Sequence, residues 1–134
     1  MIRPLLMMIL LVAMSVRPIR AEARRGLQRA PESAPELINP HPSSLDVRAG
    51  AKLFARYCAE CHGQDGRGGR RGPALDGPST RAAPEGVVFW YLTNGDLAAG
   101  MPSWSRLPEA QRWQLAAFLN TPGDPFKPRP SRDW

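Results

Sequence analysis

The stretch that decides the fold of this chain is Cys58-Ala59-Glu60-Cys61-His62. Two cysteines separated by two residues and followed directly by a histidine form the pattern of covalent haem attachment. The two intervening residues place the sulfur atoms about one helical turn apart, so each thiol can form a thioether with one of two neighbouring haem vinyl groups. The histidine is then carried under the iron as an axial ligand. The motif predicts one haem, attached through Cys58 and Cys61.

Two other kinds of site use the same cysteine spacing. A thioredoxin-type redox pair follows a strand and begins a helix, whereas Cys58 follows a helical pattern and leads into a segment rich in glycine and arginine. A structural zinc site needs four ligands, and outside the motif the chain has one further Cys or His, His41. Adjacent Cys61 and His62 would also be awkward as joint tetrahedral ligands. The pattern therefore favours haem.

The composition indicates one small domain and argues against nucleic-acid binding. The chain has 134 residues, including 15 prolines and 12 glycines, which is at most one ordinary domain. Three of the 18 basic residues lie in the first 20 positions, so the remainder of the chain has a net charge of only +3. It has no long Lys/Arg tract and no alternation of basic and aromatic residues of the kind that contacts nucleic acid.

Residues 1–21 have the pattern of a secretory signal sequence. Arg3 provides the positive start, residues 5–14 are apolar, and Ala21-Glu22-Ala23 offers a cleavage site. The uncharged run over 4–16 is shorter than the ~20 residues that span a bilayer, so we expect cleavage; only an uncleaved leader would tether the protein to a membrane. Because bacteria attach haem to thiols outside the cytoplasm, leader and motif together predict a periplasmic protein.

The rest of the chain divides into three parts. Residues 22–44 are expected to form a proline-rich arm, extended and solvated, residues 45–121 the haem domain, and residues 122–134 a proline-rich tail without regular structure. Helices are predicted over 46–57, 84–93 and 108–120, with Ser44 as the N-cap of the first. Gly50 lies in the middle of that helix, where glycine costs about 1 kcal/mol relative to alanine, so we expect another helix to approach closely there.

Met101 is the candidate for the second axial ligand. The other four methionines lie in the leader. Met101 stands between Gly100 and Pro102, a loop context in which methionine is a poor core residue. Ligation by a thioether raises the reduction potential of a haem relative to two histidines, which suits an electron carrier. We therefore expect an apolar cavity between His62 and Met101.

These features resemble the class I (monohaem) cytochromes c, of the compact bacterial type, over roughly residues 46–120. The matching motifs are Gly50 with Phe54, the attachment motif at 58–62, Gly72-Pro73-Ala74-Leu75, Met101-Pro102, and Leu115 with Phe118. The resemblance implies an all-α cytochrome c fold. Three to four short helices would surround one covalently bound haem, and the first and last helices would cross near Gly50.

The resemblance also assigns roles around the haem. It implies that the carbonyl of Pro73 accepts the proton of His62, that Leu75 packs on a haem face, and that Trp104 lies near the haem rim. The partners of the haem propionates stay open among Trp90, Tyr91 and an arginine. Arg67, Arg70 and Arg71 form either a solvated loop or a basic patch beside the haem edge that faces an acidic partner.

The implied function is transfer of single electrons between periplasmic or membrane redox proteins. The chain would then be an electron carrier rather than an enzyme, including the cytochrome partner or subunit of a dehydrogenase or oxidase. The alternative is a haem-based gas sensor or a peroxidase-like enzyme, in which Met101 leaves the iron readily. The two functions differ in how firmly Met101 is held.

Overall fold

The computed structural model describes residues 26–122 and 124–127, and these residues form an all-α fold. Five helices lie wholly within the described residues: α1, Ser44–Tyr57; α2, Ala59–His62; α3, Pro78–Arg81; α4, Glu85–Asn94; and α5, Glu109–Leu119. Two 3-10 turns cover Ala34–Glu36 and Leu97–Ala99. Within the described ranges the β-structure is an isolated bridge between Asp96 and Met101. The predicted fold class is confirmed.

Some of the sequence predictions lie outside the described residues. These are the signal sequence over 1–21, the first residues of the arm, and most of the tail. Among the helices of the described part, none is long and apolar enough to cross a bilayer.

Helix α1 begins at Ser44, two residues earlier than predicted, and its N-cap is Ser43 rather than Ser44. Ser43 has an extended backbone (φ −132°, ψ 157°), and its side chain accepts a hydrogen bond from the Asp46 N–H, at 3.2 Å. An N-cap needs this non-helical conformation to turn its hydroxyl toward the first turn. Two serines in succession offer the same chemistry, so only the backbone decides between them.

Helices α1 and α5 cross at Gly50, as predicted. A Cβ atom on Gly50 would lie 2.0 Å from the carbonyl oxygen of Gln114 and 2.8 Å from Cβ of Phe118. The Gln114 side chain also donates to Oδ1 of Asp46 at 3.1 Å. The missing side chain therefore lets the two backbones approach closely, which explains a helical glycine that costs stability locally.

An aromatic cluster beside this crossing includes a residue of the predicted unstructured tail. Phe54 is fully buried, and its ring centroid lies 5.6 Å from that of Phe118 and 5.0 Å from that of Phe126. Gly66, at φ +67°, makes room for the Phe126 ring, which a Cβ there would meet at 2.2 Å. Phe126 thus packs against the core, although residues 124–127 contain no helix or strand, and a tail without regular structure stays a prediction.

The described part of the arm packs against α4 instead of extending into solvent. Ala34 is almost completely buried, with 1% of its surface exposed. Gly86 allows this contact, because a Cβ there would lie 2.2 Å from the Ala34 carbonyl oxygen. Nδ2 of Asn39 also donates to Oε1 of Glu85 at 2.7 Å. The expectation of an extended, solvated arm does not hold where Ala34 and Asn39 dock on α4, and it stays a prediction for the other residues of the arm, most of which are exposed.

Candidate haem site

A cavity of about 540 Å³ brings together most of the residues that the sequence singled out. Cys61, His62, Pro73, Leu75 and Met101 all line it, and much of the remaining wall is apolar, with Leu27, Val88, Leu92 and Leu119. Its volume lies in the range of roughly 300–1,000 Å³ that is usual for ligand and cofactor pockets. The expected cavity between the histidine and the methionine is therefore present, and its size and lining fit a haem.

The attachment motif forms a single helical turn. Cys58 ends α1 and is also the N-cap of α2. The His62 N–H donates to the Cys58 carbonyl at 2.9 Å, and Gly63, at φ +78°, ends the turn. Cys58 precedes this short helix and Cys61 and His62 lie within it, and the two thiols are free.

The two cysteines differ in exposure. Cys61 is half-buried and lines the cavity. Cys58 is buried and belongs to the hydrophobic core, and it is not among the lining residues. Burial raises the pKa of the Cys58 thiol to about 12, and the neighbouring Cys61 adds to the shift. Attachment of haem to both thiols stays a prediction.

His62 is oriented as a metal ligand requires. Its Nδ1 lies 2.8 Å from the carbonyl oxygen of Pro73. Since a carbonyl can only accept, Nδ1 carries the proton and Nε2 keeps its lone pair free for a metal. Burial lowers the pKa of His62, while the bond to Pro73 acts in the opposite direction. The imidazole is therefore held in the neutral tautomer whose Nε2 is free to bind a metal.

The glycine-rich loop after α2 brings Pro73 to His62. Gly68 has φ +80°, its N–H donates to the His62 carbonyl at 2.8 Å, and a Cβ on it would lie 2.7 Å from the carbonyl carbon of Pro73. A Cβ on Gly72 would lie 3.0 Å from Nδ1 of His62. Gly68 and Gly72 therefore permit the close packing of the backbone around His62 and Pro73.

Replacement of Gly68 tests this account of the loop. In the haem-loaded protein, we expect Gly68→Ala to lower the free energy of unfolding by about 3 kcal/mol, from a left-handed conformation and overpacking against Pro73. Gly69→Ala is the matched control. The nearest atom to a Cβ at Gly69 is 3.8 Å away, so its effect should stay within about 0.5 kcal/mol. Equal effects in denaturant titrations would contradict the account.

The loop after α4 fixes the position of Met101. The Asp96 N–H donates to the Met101 carbonyl at 2.8 Å, and the Met101 N–H donates to the Asp96 carbonyl at 2.9 Å. Gly95 and Gly100 take left-handed conformations (φ +69° and +82°) that allow this closed loop. A Cβ on Gly95 would lie 2.6 Å from Pro102. Met101 is thus held by its backbone on the wall of the cavity.

Asp96 and Arg29 line the cavity and were missed by the sequence interpretation. The Asp96 side chain is only 5% exposed and forms an ion pair with Arg29. The Tyr91 hydroxyl donates a long hydrogen bond, 3.4 Å, to the same carboxylate. Burial raises the pKa of Tyr91, and the charge of Asp96 raises it further. Arg29 and Asp96 lie far apart in the chain, and no local pattern links them.

Trp104 and Trp90, two residues considered for contact with the haem, are not among the lining residues of the cavity. The Trp104 ring packs on Tyr57, with centroids 5.6 Å apart, and the backbone N–H of Trp104 donates to the Leu92 carbonyl at 2.9 Å. A place for Trp104 near the haem rim stays a prediction. Tyr91 does line the cavity, but its hydroxyl faces Asp96.

The arginine cluster is partly neutralised by nearby carboxylates. Arg71 forms an ion pair with Glu60, and Arg67 lies 3.6 Å from a carboxylate oxygen of Asp65. Arg70 and Arg71 also line the cavity. Because these exposed pairs offset the positive charge locally, the structure gives little support to a strongly basic docking patch.

An all-α fold around a cavity that presents a C-x-x-C-H motif and a loop methionine defines a monohaem c-type cytochrome domain. Residues 45–119 match the family described as cytochrome c oxidase, cbb3-type, subunit III. The match covers more than half of the chain, and the chain therefore belongs to this family of class I-type cytochrome domains.

The curated proteins that are similar to this chain include two named for redox functions. A thiosulfate dehydrogenase from Stutzerimonas stutzeri (strain A1501) is 28% identical over 114 residues, which are 80% of this chain and 37% of that protein. The cbb3-type cytochrome c oxidase subunit FixP from Bradyrhizobium sp. (strain ORS 278) is 30% identical over 91 residues, 63% of this chain and 30% of the relative. The chain thus spans no more than 37% of either relative. No solved structure matches it significantly.

Proposed function

We propose that this chain is an electron carrier that holds one haem through Cys58 and Cys61, with His62 and Met101 as axial ligands. The observation that supports the proposal is that His62 and Met101 line one cavity and that each is fixed by neighbouring backbone. The Pro73 carbonyl orients His62, and two hydrogen bonds to Asp96 hold Met101.

The bound haem would supply a one-electron Fe(III)/Fe(II) couple. The chain's own residues would keep the two ligands in place in both oxidation states, so that little rearrangement accompanies each transfer. The apolar side chains of Leu75, Val88 and Leu92 line the cavity and would exclude water from it. A low local polarity and a thioether ligand together tune the reduction potential upward.

The partners are proposed from the leader and the relatives. A signal-like leader supports a periplasmic location, where exported and membrane-bound redox enzymes are accessible. One relative is named as a subunit of a cbb3-type oxidase, and another as a thiosulfate dehydrogenase. We infer that the chain passes electrons to or from an enzyme of such a kind, as its cytochrome partner or subunit.

Replacement of Met101 tests the ligand set. We expect the wild-type ferric protein to show the weak red-edge charge-transfer band of an iron–thioether bond. Met101→Ala should abolish the band and lower the reduction potential by on the order of 0.1 V, within the ~0.8 V range that axial ligands set. Leu97→Ala is the control, because Leu97 lies in the same loop and is 80% exposed. A wild type without the band would contradict the proposal.

A gas sensor or peroxidase-like enzyme would require Met101 to leave the iron easily. The close packing of Gly95 on Pro102 and the paired hydrogen bonds of Met101 support a firmly held ligand instead. We therefore expect the reduced wild type to bind carbon monoxide far more slowly than Met101→Ala. Equally fast binding in rapid-mixing experiments would favour the sensor or enzyme.

A further inference from the structure

The ion pair between Arg29 and Asp96 joins the N-terminal arm to the wall of the cavity. The Asp96 side chain is 5% exposed, whereas that of Arg29 is 58% exposed. A buried carboxylate is costly unless it is paired and hydrogen-bonded. Besides Arg29, the Asp96 carboxylate accepts from the Tyr91 hydroxyl at 3.4 Å and from the Ala99 N–H at 3.3 Å. Among these three donors, Arg29 supplies the positive charge.

Asp96 is also the residue on which Met101 depends. Its backbone exchanges two hydrogen bonds with Met101, at 2.8 and 2.9 Å. Its carboxylate caps the 3-10 turn Leu97–Ala99 that separates the two residues. The main chain and the side chain of Asp96 therefore both shape the segment 96–101. A change in the side chain's position changes the loop that carries the methionine.

We propose that Arg29 is a positioning residue for Met101, acting through Asp96. The guanidinium fixes the Asp96 carboxylate, and the fixed carboxylate holds the segment 96–101 in the conformation that places Met101 on the cavity wall. The inference rests on the proposed function, in which Met101 ligates the haem iron. It gives the docked arm a role in the stability of the iron–sulfur bond.

The rival account is a direct effect of Arg29 on the haem, since Arg29 also lines the cavity. The two accounts differ in what they change. Removal of a positive charge near the haem would shift the reduction potential and leave the iron–sulfur bond intact. Removal of a positioning residue would weaken the bond, so that an added ligand displaces Met101 more easily.

The test compares four haem-loaded full-length proteins: wild type, Arg29→Ala, Arg29→Lys and Asn39→Ala. The measurements are the red-edge charge-transfer band of the ferric form and the dissociation constant of imidazole, which replaces the methionine on the iron. We expect Arg29→Ala to weaken the band and to bind imidazole about tenfold more tightly, as for the loss of one partly exposed charged hydrogen bond. The band and the imidazole affinity of Arg29→Lys should lie between those of the wild type and Arg29→Ala, because lysine keeps the positive charge but lacks the planar guanidinium group.

Asn39→Ala is the matched control for docking of the arm. It removes the contact with Glu85 by which the same arm packs on α4, and Asn39 does not line the cavity. We expect its band and its imidazole affinity to equal those of the wild type. An effect as large as that of Arg29→Ala would overturn the proposal, because docking of the whole arm would then be responsible.

A double-variant cycle isolates the route through Asp96. Asp96→Asn removes the buried charge that Arg29 neutralises, so Arg29→Ala should have little further effect in that background. Full additivity of the two changes in imidazole affinity would overturn the proposal.

Two further outcomes separate this inference from the function on which it rests. A wild type that lacks the charge-transfer band would contradict ligation by Met101, and both proposals would fall together. A wild type with the band, and an Arg29→Ala variant within about twofold of its imidazole affinity, would overturn the role of Arg29 alone. A shifted reduction potential with unchanged imidazole affinity would also overturn it, in favour of the direct effect on the haem.

Discussion

Without haem, this chain should lose most of the helical signal in its far-ultraviolet circular dichroism spectrum. The cavity of about 540 Å³ lies among helices whose core residues also form its wall. Without haem, the apolar walls of this cavity would either lose their packing partners or face water, and both outcomes cost stability. A small domain has a total stability of only about 5–15 kcal/mol, so we expect the apo chain to be poorly folded.

The measurement uses two forms of the apo protein. One is a chain without its leader, produced in the cytoplasm, where both thiols are present but haem is not attached. The other is the exported Cys58→Ala/Cys61→Ala variant. We expect both apo forms to show little helix and no cooperative thermal transition. The haem-loaded wild type should show a strong helical signal and a cooperative transition. A native-like spectrum with a sharp transition in either apo form would refute the expectation.

Gly50→Ala should strongly destabilise the haem-loaded protein, although alanine is the better helix residue. Helix propensity alone would favour the substitution by about 1 kcal/mol. The new Cβ would lie 2.0 Å from the Gln114 carbonyl oxygen, and a backbone atom inside α5 cannot turn away. The two helices must separate, which we expect to cost about 3 kcal/mol net and to lower the melting temperature by more than about 10 °C.

Gly77→Ala provides the control for this substitution. A Cβ at Gly77 would have no neighbour within 4 Å, and its φ of −82° suits any residue. We expect its stability to stay within about 1 kcal/mol of the wild type. If calorimetry gave Gly50→Ala a melting temperature equal to or above that of the wild type, the close contact between α1 and α5 would not exist in solution.

The parts of the site that could be predicted are those with a local signature. His62 is marked by its place directly after Cys61. Met101 stood out because every other methionine is in the leader. The apolar positions of α1, and the proline and glycine boundaries of the apolar helices α4 and α5, gave these three helices to within two residues at each end.

The parts that could not be predicted depend on contacts between distant residues. The burial of Ala34 against Gly86 and the packing of Phe126 on Phe54 occur in proline-rich segments, where composition suggests solvent exposure. Nothing in the local sequence around Arg29 or around Asp96 indicates that the two residues form an ion pair. Such contacts form between segments that are far apart in the sequence. Neither the hydrophobic periodicity of one segment nor a short motif indicates which distant segment it will contact.

The direct succession of α1 and α2 links the helix crossing at Gly50 to the position of His62. Cys58 is both the C-cap of α1 and the N-cap of α2. Its N–H donates to the Phe54 carbonyl, and its carbonyl accepts from the His62 N–H, both at 2.9 Å. A single residue therefore joins the proposed haem ligand to the helix that contacts α5, so a substitution at that helix contact would reach the haem site without altering the wall of the cavity.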